Sequence, residues 1–196
     1  MLSNGIAIHE VAITQNIVST AAGSLDFGLI ESISPVLGIH HRIIEVSEEE
    51  GTFTLDNRSK WQTANIDMIK SWKEDDLIIT QNQAIFSVHR FALVNPRLQK
   101  AVPISLLREP LPMDGKTFFI RKIDLPNDLI TLDNSVDWTV YPSDHGTLRK
   151  FNENDRIMIG LNSSETVDTL NSEKYKFYIL INTTSNLYVR ATPTTR

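Results

Sequence analysis

One pattern in this chain occurs twice, and a chain that repeats itself must fold the repeated stretch the same way each time. Phe53-Thr54-Leu55-Asp56-Asn57 recurs as Ile130-Thr131-Leu132-Asp133-Asn134. Ser59 and Trp61 follow the first block, Ser135 and Trp138 the second. Trp72 to Ile79 then matches Phe151 to Met158, and Phe91-Ala92-Leu93-Val94-Asn95 matches Tyr178-Ile179-Leu180-Ile181-Asn182. The matched blocks keep one order, and most of the growth in their separation is a polar insertion around Ser163 to Lys174, where a surface loop tolerates extra length.

Each copy reads as short strands joined by turns. Phe118 to Asp124 runs through Pro126-Asn127-Asp128 into Leu129 to Leu132. Arg42 to Ser47 turns through Glu50-Gly51 into Thr52 to Leu55. Leu-Asp-Asn is a turn signal, and Trp61 or Trp138 then lies in a further short strand. A helical turn follows. Asn65 is its expected cap in the first copy, Ser143 or Asp144 in the second, and the pairs Ile69/Trp72 and Leu148/Phe151 share one face. An apolar strand after Asp76 or Asp155 and a last hairpin complete the unit. The expected fold is all-β: two tandem, small, partly open β-barrels of SH3-like type, about five strands and one helical turn each. The expected division is an extended segment at 1–40, a barrel at 41–108, a stiff proline-containing linker at 109–115 and a second barrel at 116–196. Ile6, Ile8 and the apolar stretch Leu25 to Ile39 suggest that residues 1–40 pack on the first barrel or pair with another chain.

Composition narrows function by exclusion. The chain has no cysteine, which removes disulfides, thiol catalysis and cysteine-rich zinc sites. Net charge is -5, and neither copy holds the basic excess that phosphate contacts need, so nucleic acid is not an expected partner. No apolar stretch reaches a membrane span. The first nine residues lack the basic start of a secretory signal. The default compartment is therefore the cytoplasm, a non-standard export route needing no such signal.

The twice-used pattern (Leu-Asp-Asn with Ser and Trp, an aromatic before Asp, and an aliphatic strand ending in Asn) resembles a group of small bacterial β-domains. Those read as an Asp-Gly-Ser-x-Trp segment, a Trp-x-x-Gly-Asp turn and a Leu-Ile-Asn strand. The likeness covers 41–108 and 116–193. It departs at Asn57 and Asn134, where glycine is usual, and at Glu74/Asp75 and Glu153/Asn154. That group has no assigned activity, so the resemblance implies a fold and no chemistry.

Candidate chemistry is sparse. His9, His40, His41, His89 and His145 include no pair at helical ligand spacing, and no metal or cofactor is expected. No glycine-flanked elbow surrounds Ser59 or Ser135, and no glycine-rich phosphate loop occurs. Asp133, Asp137 and His145 form the best acid–base cluster, yet Asp133 repeats Asp56 in a turn. Trp61 and Trp138 recur at matched positions and read first as core. With Tyr141 and Tyr188 they are the candidate partner or ligand surface, tyrosine being the more readily exposed. The expectation is a non-enzymatic protein-interaction or structural protein, its modules duplicated for avidity. Its partner would be a protein or another copy of itself, with residues 1–40 as the oligomer contact. The alternatives are a hydrolase with its site between the modules, or a carbohydrate-binding module.

Overall fold

A computed structural model describes residues 18–19, 24–25, 38–83, 89–112, 115–162 and 178–194. The oligomer contact expected of residues 1–40 falls almost wholly outside them. A two-residue ladder joins Val18–Ser19 to Ser24–Leu25. Twelve longer strands carry the architecture. The first six are β1 (His40–Ser47), β2 (Thr52–Leu55), β3 (Lys60–Gln62), β4 (Leu77–Asn82), β5 (Phe91–Asn95) and β6 (Lys100–Arg108). The second six are β7 (Phe118–Asp124), β8 (Leu129–Leu132), β9 (Asp137–Val140), β10 (Arg156–Leu161), β11 (Tyr178–Asn182) and β12 (Leu187–Pro193). The helical turns are α1 (Ile66–Ile69) and α2 (His145–Leu148).

Pairing closes each set of six into a ring. The first runs β1-β2-β3-β6-β5-β4 and back to β1, every contact antiparallel. The second runs β7-β8-β9-β12-β11-β10 and back to β7, in the same order and sense. The fold is all-β, and each barrel is a closed ring of six strands where about five and a partial opening were expected. Closure needs sharp bending, and both rings bend at the same place. Ile44 is passed over between the Ile43–Leu55 and Glu45–Thr54 pairs, and Arg121 is passed over between the Ile120–Leu132 and Lys122–Thr131 pairs. Such a bulge adds one residue to one strand and increases its local twist.

The backbone repeats more faithfully than the side chains. Ten described residues have positive φ, and they form five matched pairs: Gly38/Gly115, Gly51/Asp128, Arg58/Ser135, Asp75/Asn154 and Gln99/Asn186. The left-handed turn position is therefore Arg58 or Ser135, one residue after the Asn57 and Asn134 that the sequence singled out. Ser135 is the counterpart of Arg58, and Ser59 corresponds to Val136. Both asparagines serve the turn differently: each side-chain oxygen accepts the backbone N–H two residues on, from Ser59 and from Val136. Neither α1 nor α2 has the expected side-chain cap. Asp144 is taken by Arg190, Ser143 lies inside the 3-10 turn Pro142–Asp144, and Asn65 donates its own N–H to Thr63 Oγ1.

Alternate residues of each strand fill the barrel interiors. Ile43, Phe53, Leu55, Trp61, Ile69, Trp72, Ile78, Leu93, Val102 and Ile104 form the first core. Ile120, Ile130, Leu132, Trp138, Leu148, Phe151, Ile157, Leu180 and Val189 belong to the second. The helical turns thus contribute the residues predicted for them, Ile69 with Trp72 and Leu148 with Phe151. Full burial of a large apolar side chain contributes about 1.5–3 kcal/mol.

The barrels are not beads on a string. β4, β5, β10 and β11 are buried on both faces apart from their ends. The outward residues Ile79, Ala92, Val94 and Ala101 of the first barrel belong to the second barrel's apolar cluster. The outward residues Met158, Ile179 and Ile181 of the second belong to the first barrel's cluster, with Tyr188 packed against it. A single parallel bridge, Gln81 to Leu161, joins β4 to β10. It lies beside Gly160, where an added Cβ would sit 2.5 Å from the Thr80 carbonyl oxygen. The linker is fastened as well: Leu111 N–H donates to Asn57 O at 2.9 Å, and Arg156 pairs with Glu109 at 2.8 Å.

Candidate functional site

Four polar constellations stand out. The first is repeated. Asp76 and Asp155 each accept from an asparagine amide at the end of the second strand that follows, Asn95 at 2.8 Å and Asn182 at 2.6 Å. Each also accepts a backbone N–H three residues back, from Lys73 and from Asn152. The asparagine oxygens in turn hold the following turns through Leu98 N–H and Ser185 N–H. Only the first copy adds an arginine: Arg97 grips both Asp76 oxygens at 2.9 Å, where the second copy has Thr184. Burial works against the charged Asp76 carboxylate. The Arg97, Lys73 and Asn95 bonds outweigh it and hold the group below the ordinary carboxylate range.

The second lies at the seam. His41 is fully buried where the second barrel has Phe118, and its Nδ1 meets Asp56 Oδ1 at 2.9 Å. Lys116 approaches Asp56 Oδ2 at 3.4 Å and also donates to the His40 carbonyl. Burial tends to raise the Asp56 pKa, but the bond and charge of His41, then Lys116 and Arg42, bring it below the usual range. His41 Nε2 is buried without a partner.

The third contains the expected acid–base histidine with an unexpected partner. His145 pairs through Nδ1 with Asp128, at the left-handed end of the β7–β8 turn. Arg149, one helical turn on, donates from Nε to His145 Nε2 at 3.0 Å. The ring is thus oriented from both sides, by a carboxylate at Nδ1 and by a guanidinium N–H at Nε2. The other two members of the predicted cluster are engaged elsewhere. Asp137 accepts from Thr131 Oγ1 at 2.8 Å, and Asp133 lies exposed in its turn with its N–H on Phe119 O. Asp128 and Arg149 were missed by sequence reasoning. The spacing of four between His145 and Arg149 was the available signal.

In the fourth, Arg190 binds Asp144 through Nε at 2.9 Å and a terminal nitrogen at 2.7 Å, and donates to Ser143 Oγ. Its guanidinium lies 4.4 Å from the Tyr141 ring centroid, a cation–π distance. Hydrogen bonding to Asp144 raises the arginine's pKa further. The clamp ties the turn before α2 to β12.

The four residues proposed as a partner surface divide. Trp61 and Trp138 are each 0% exposed, so neither can meet a ligand, and the surface reading of both is corrected to core. Their rings pack edge-on against Phe91 at 6.1 Å and Tyr178 at 5.8 Å. Tyr188 is half-buried at the seam, 5.9 Å from Phe91 and hydrogen-bonded to Asn82. Tyr141 is half-buried with the Arg190 guanidinium over its ring. Among the described residues, no group of three or more metal-ligating side chains is assembled, and no helix is long and apolar enough to cross a membrane. Compared with protein-family models, curated proteins and solved structures, the chain matches none.

Proposed function

We propose that this chain is a non-enzymatic protein-interaction or structural protein, built by duplicating one β-barrel module, that binds protein, a further copy of itself included. One observation carries the reading. Three pairs of polar residues present in both copies, Asp76/Asp155, Asn95/Asn182 and Asn57/Asn134, are spent on turns. What has been repeated is an architecture rather than a reacting group. The shared apolar clusters favour one rigid double body over two independently tethered binding units, so avidity between the modules is not the basis of the proposal.

The test is the mass of the intact chain by sedimentation equilibrium over a wide concentration range, repeated after removal of residues 1–37. A multiple of 22.2 kDa that reverts to the single-chain value on truncation supports self-association through that segment. A single-chain mass throughout removes self-association and leaves only a foreign protein partner.

The Asp128–His145 pair favours a second reading, a hydrolase, because a carboxylate-oriented imidazole is the usual general base. Arg149 occupies the nitrogen that would act and would have to move aside. Turnover of simple ester or phosphoester substrates that disappears in His145→Gln would replace the first reading with this one.

A further inference from the structure

The contact between the barrels joins equivalent strands, yet its two sides have different shapes. Position by position, Ile79 corresponds to Met158, Ala92 to Ile179, Val94 to Ile181 and Ala101 to Tyr188. The first barrel offers two alanines where the second offers isoleucine and tyrosine. Tyr188 uses that bulk: its ring meets Phe91 of the first barrel at 5.9 Å, and its hydroxyl accepts from Asn82, which also donates to Asn162 Oδ1 at 3.0 Å. Gly160 removes the Cβ that would strike Thr80 O, where the first barrel's counterpart is Gln81.

From this we infer that the outer faces of β4–β6 and β10–β12 form a heterotypic docking surface. Each face accepts the opposite barrel and rejects a copy of itself. Two first barrels placed together would set Ala101 against Phe91 and leave a gap the size of a phenol ring. Two second barrels would set Tyr188 against Tyr178, and two first barrels would bring Gln81, with its Cβ, to the close approach that Gly160 leaves open. Underpacked and overpacked contacts both cost stability, and specificity comes from that penalty as much as from the good fit. The partner of either face is therefore the other kind of barrel, from the same chain or from a second copy. The inference rests on the self-association reading only in that last clause.

The experiment places a protease site within 109–115 of the full chain, folds the intact protein, cleaves it and follows the fragments by native mass spectrometry. Isotope-labelled and unlabelled samples are then mixed. The expected result is 1:1 complexes of amino-terminal with carboxy-terminal fragment, with label exchanging only between such complexes. Separate fragments, same-fragment dimers or aggregation would overturn the inference. Tyr188→Ala in the cleaved protein should speed exchange at least tenfold, and an unchanged exchange rate would also count against it. If the intact chain proves monomeric while the fragments still pair heterotypically, the self-association reading falls and this one stands.

Discussion

Trp61 donates its indole N–H to Ser59 Oγ at 2.8 Å, and the same serine donates to Asn57 Oδ1 at 2.7 Å. In the second barrel the position of Ser59 is held by Val136, and the buried Trp138 Nε1 has no acceptor. One hydroxyl therefore separates a satisfied tryptophan from an unsatisfied one in otherwise equivalent surroundings. A buried donor left unpaired costs about 1–3 kcal/mol. Ser59→Ala should lose that amount in urea denaturation. Val136→Ser should move the Trp138 indole proton downfield in an NMR spectrum, and an unmoved resonance would show that the two sites are not equivalent.

The Asp76 carboxylate is held below its unfolded value, so its contribution is present above about pH 3.9 and is lost as pH falls through the lower folded value. Asp56 acts in the same sense. Arg97→Thr, which copies the second barrel, should let the Asp76 pKa rise toward the unfolded value. Acid unfolding followed by circular dichroism should then have its midpoint at higher pH, and the stability lost at neutrality should shrink as Asp76 protonates in acid. A midpoint that stays in place would show that Lys73 and Asn95 suffice.

Gly160 and Gly146 make opposite predictions for the same substitution. A Cβ at Gly160 would lie 2.5 Å from a backbone oxygen and near Ile179 and Ile181 side-chain atoms, whereas at Gly146 it meets nothing within 4 Å. Gly160→Ala should cost about 1–3 kcal/mol through overpacking at the seam. Gly146→Ala, within α2, should gain about 0.5–1 kcal/mol. Thermal melting of the two variants checks both signs at once.

Gln99 has a φ of 51°, a region in which a side chain costs about 1–2 kcal/mol. Part of that is returned by the greater freedom of glycine in the unfolded chain. Gln99→Gly should therefore raise stability by about 0.5–1 kcal/mol. A loss of stability would mean that the Gln99 side chain makes an unrecognised contribution.

Much of the architecture was legible because its determinants are local. Trp61 with Trp138, Asp76 with Asp155 and Asn95 with Asn182 stand at corresponding places in the pattern, and each fulfils one role in both barrels. The partner of His145 was not legible, because Asp128 comes from another turn and reads there as a turn residue. Ring closure was hidden for a similar reason: the pairing of Trp61 with Leu106, and of Trp138 with Pro193, joins segments far apart in the chain. The doubly buried strands were misleading too. Val94 and Ile181 look like ordinary strand residues, and nothing near them in sequence indicates that they face a neighbouring barrel. Gly38 and Gly115 could have been matched by their spacing, but the repeat was sought in side-chain patterns and these two share only a backbone conformation.

Ring closure also limits how anything can attach to this protein. Each of the twelve barrel strands has a hydrogen-bonded neighbour on both sides, so none offers a whole free edge along which an extended peptide or a misfolded copy could add as a further strand. Recognition at the barrels is therefore left mainly to side chains and connecting turns, which ties selectivity to surface chemistry and makes the barrel strands poor templates for fibre growth.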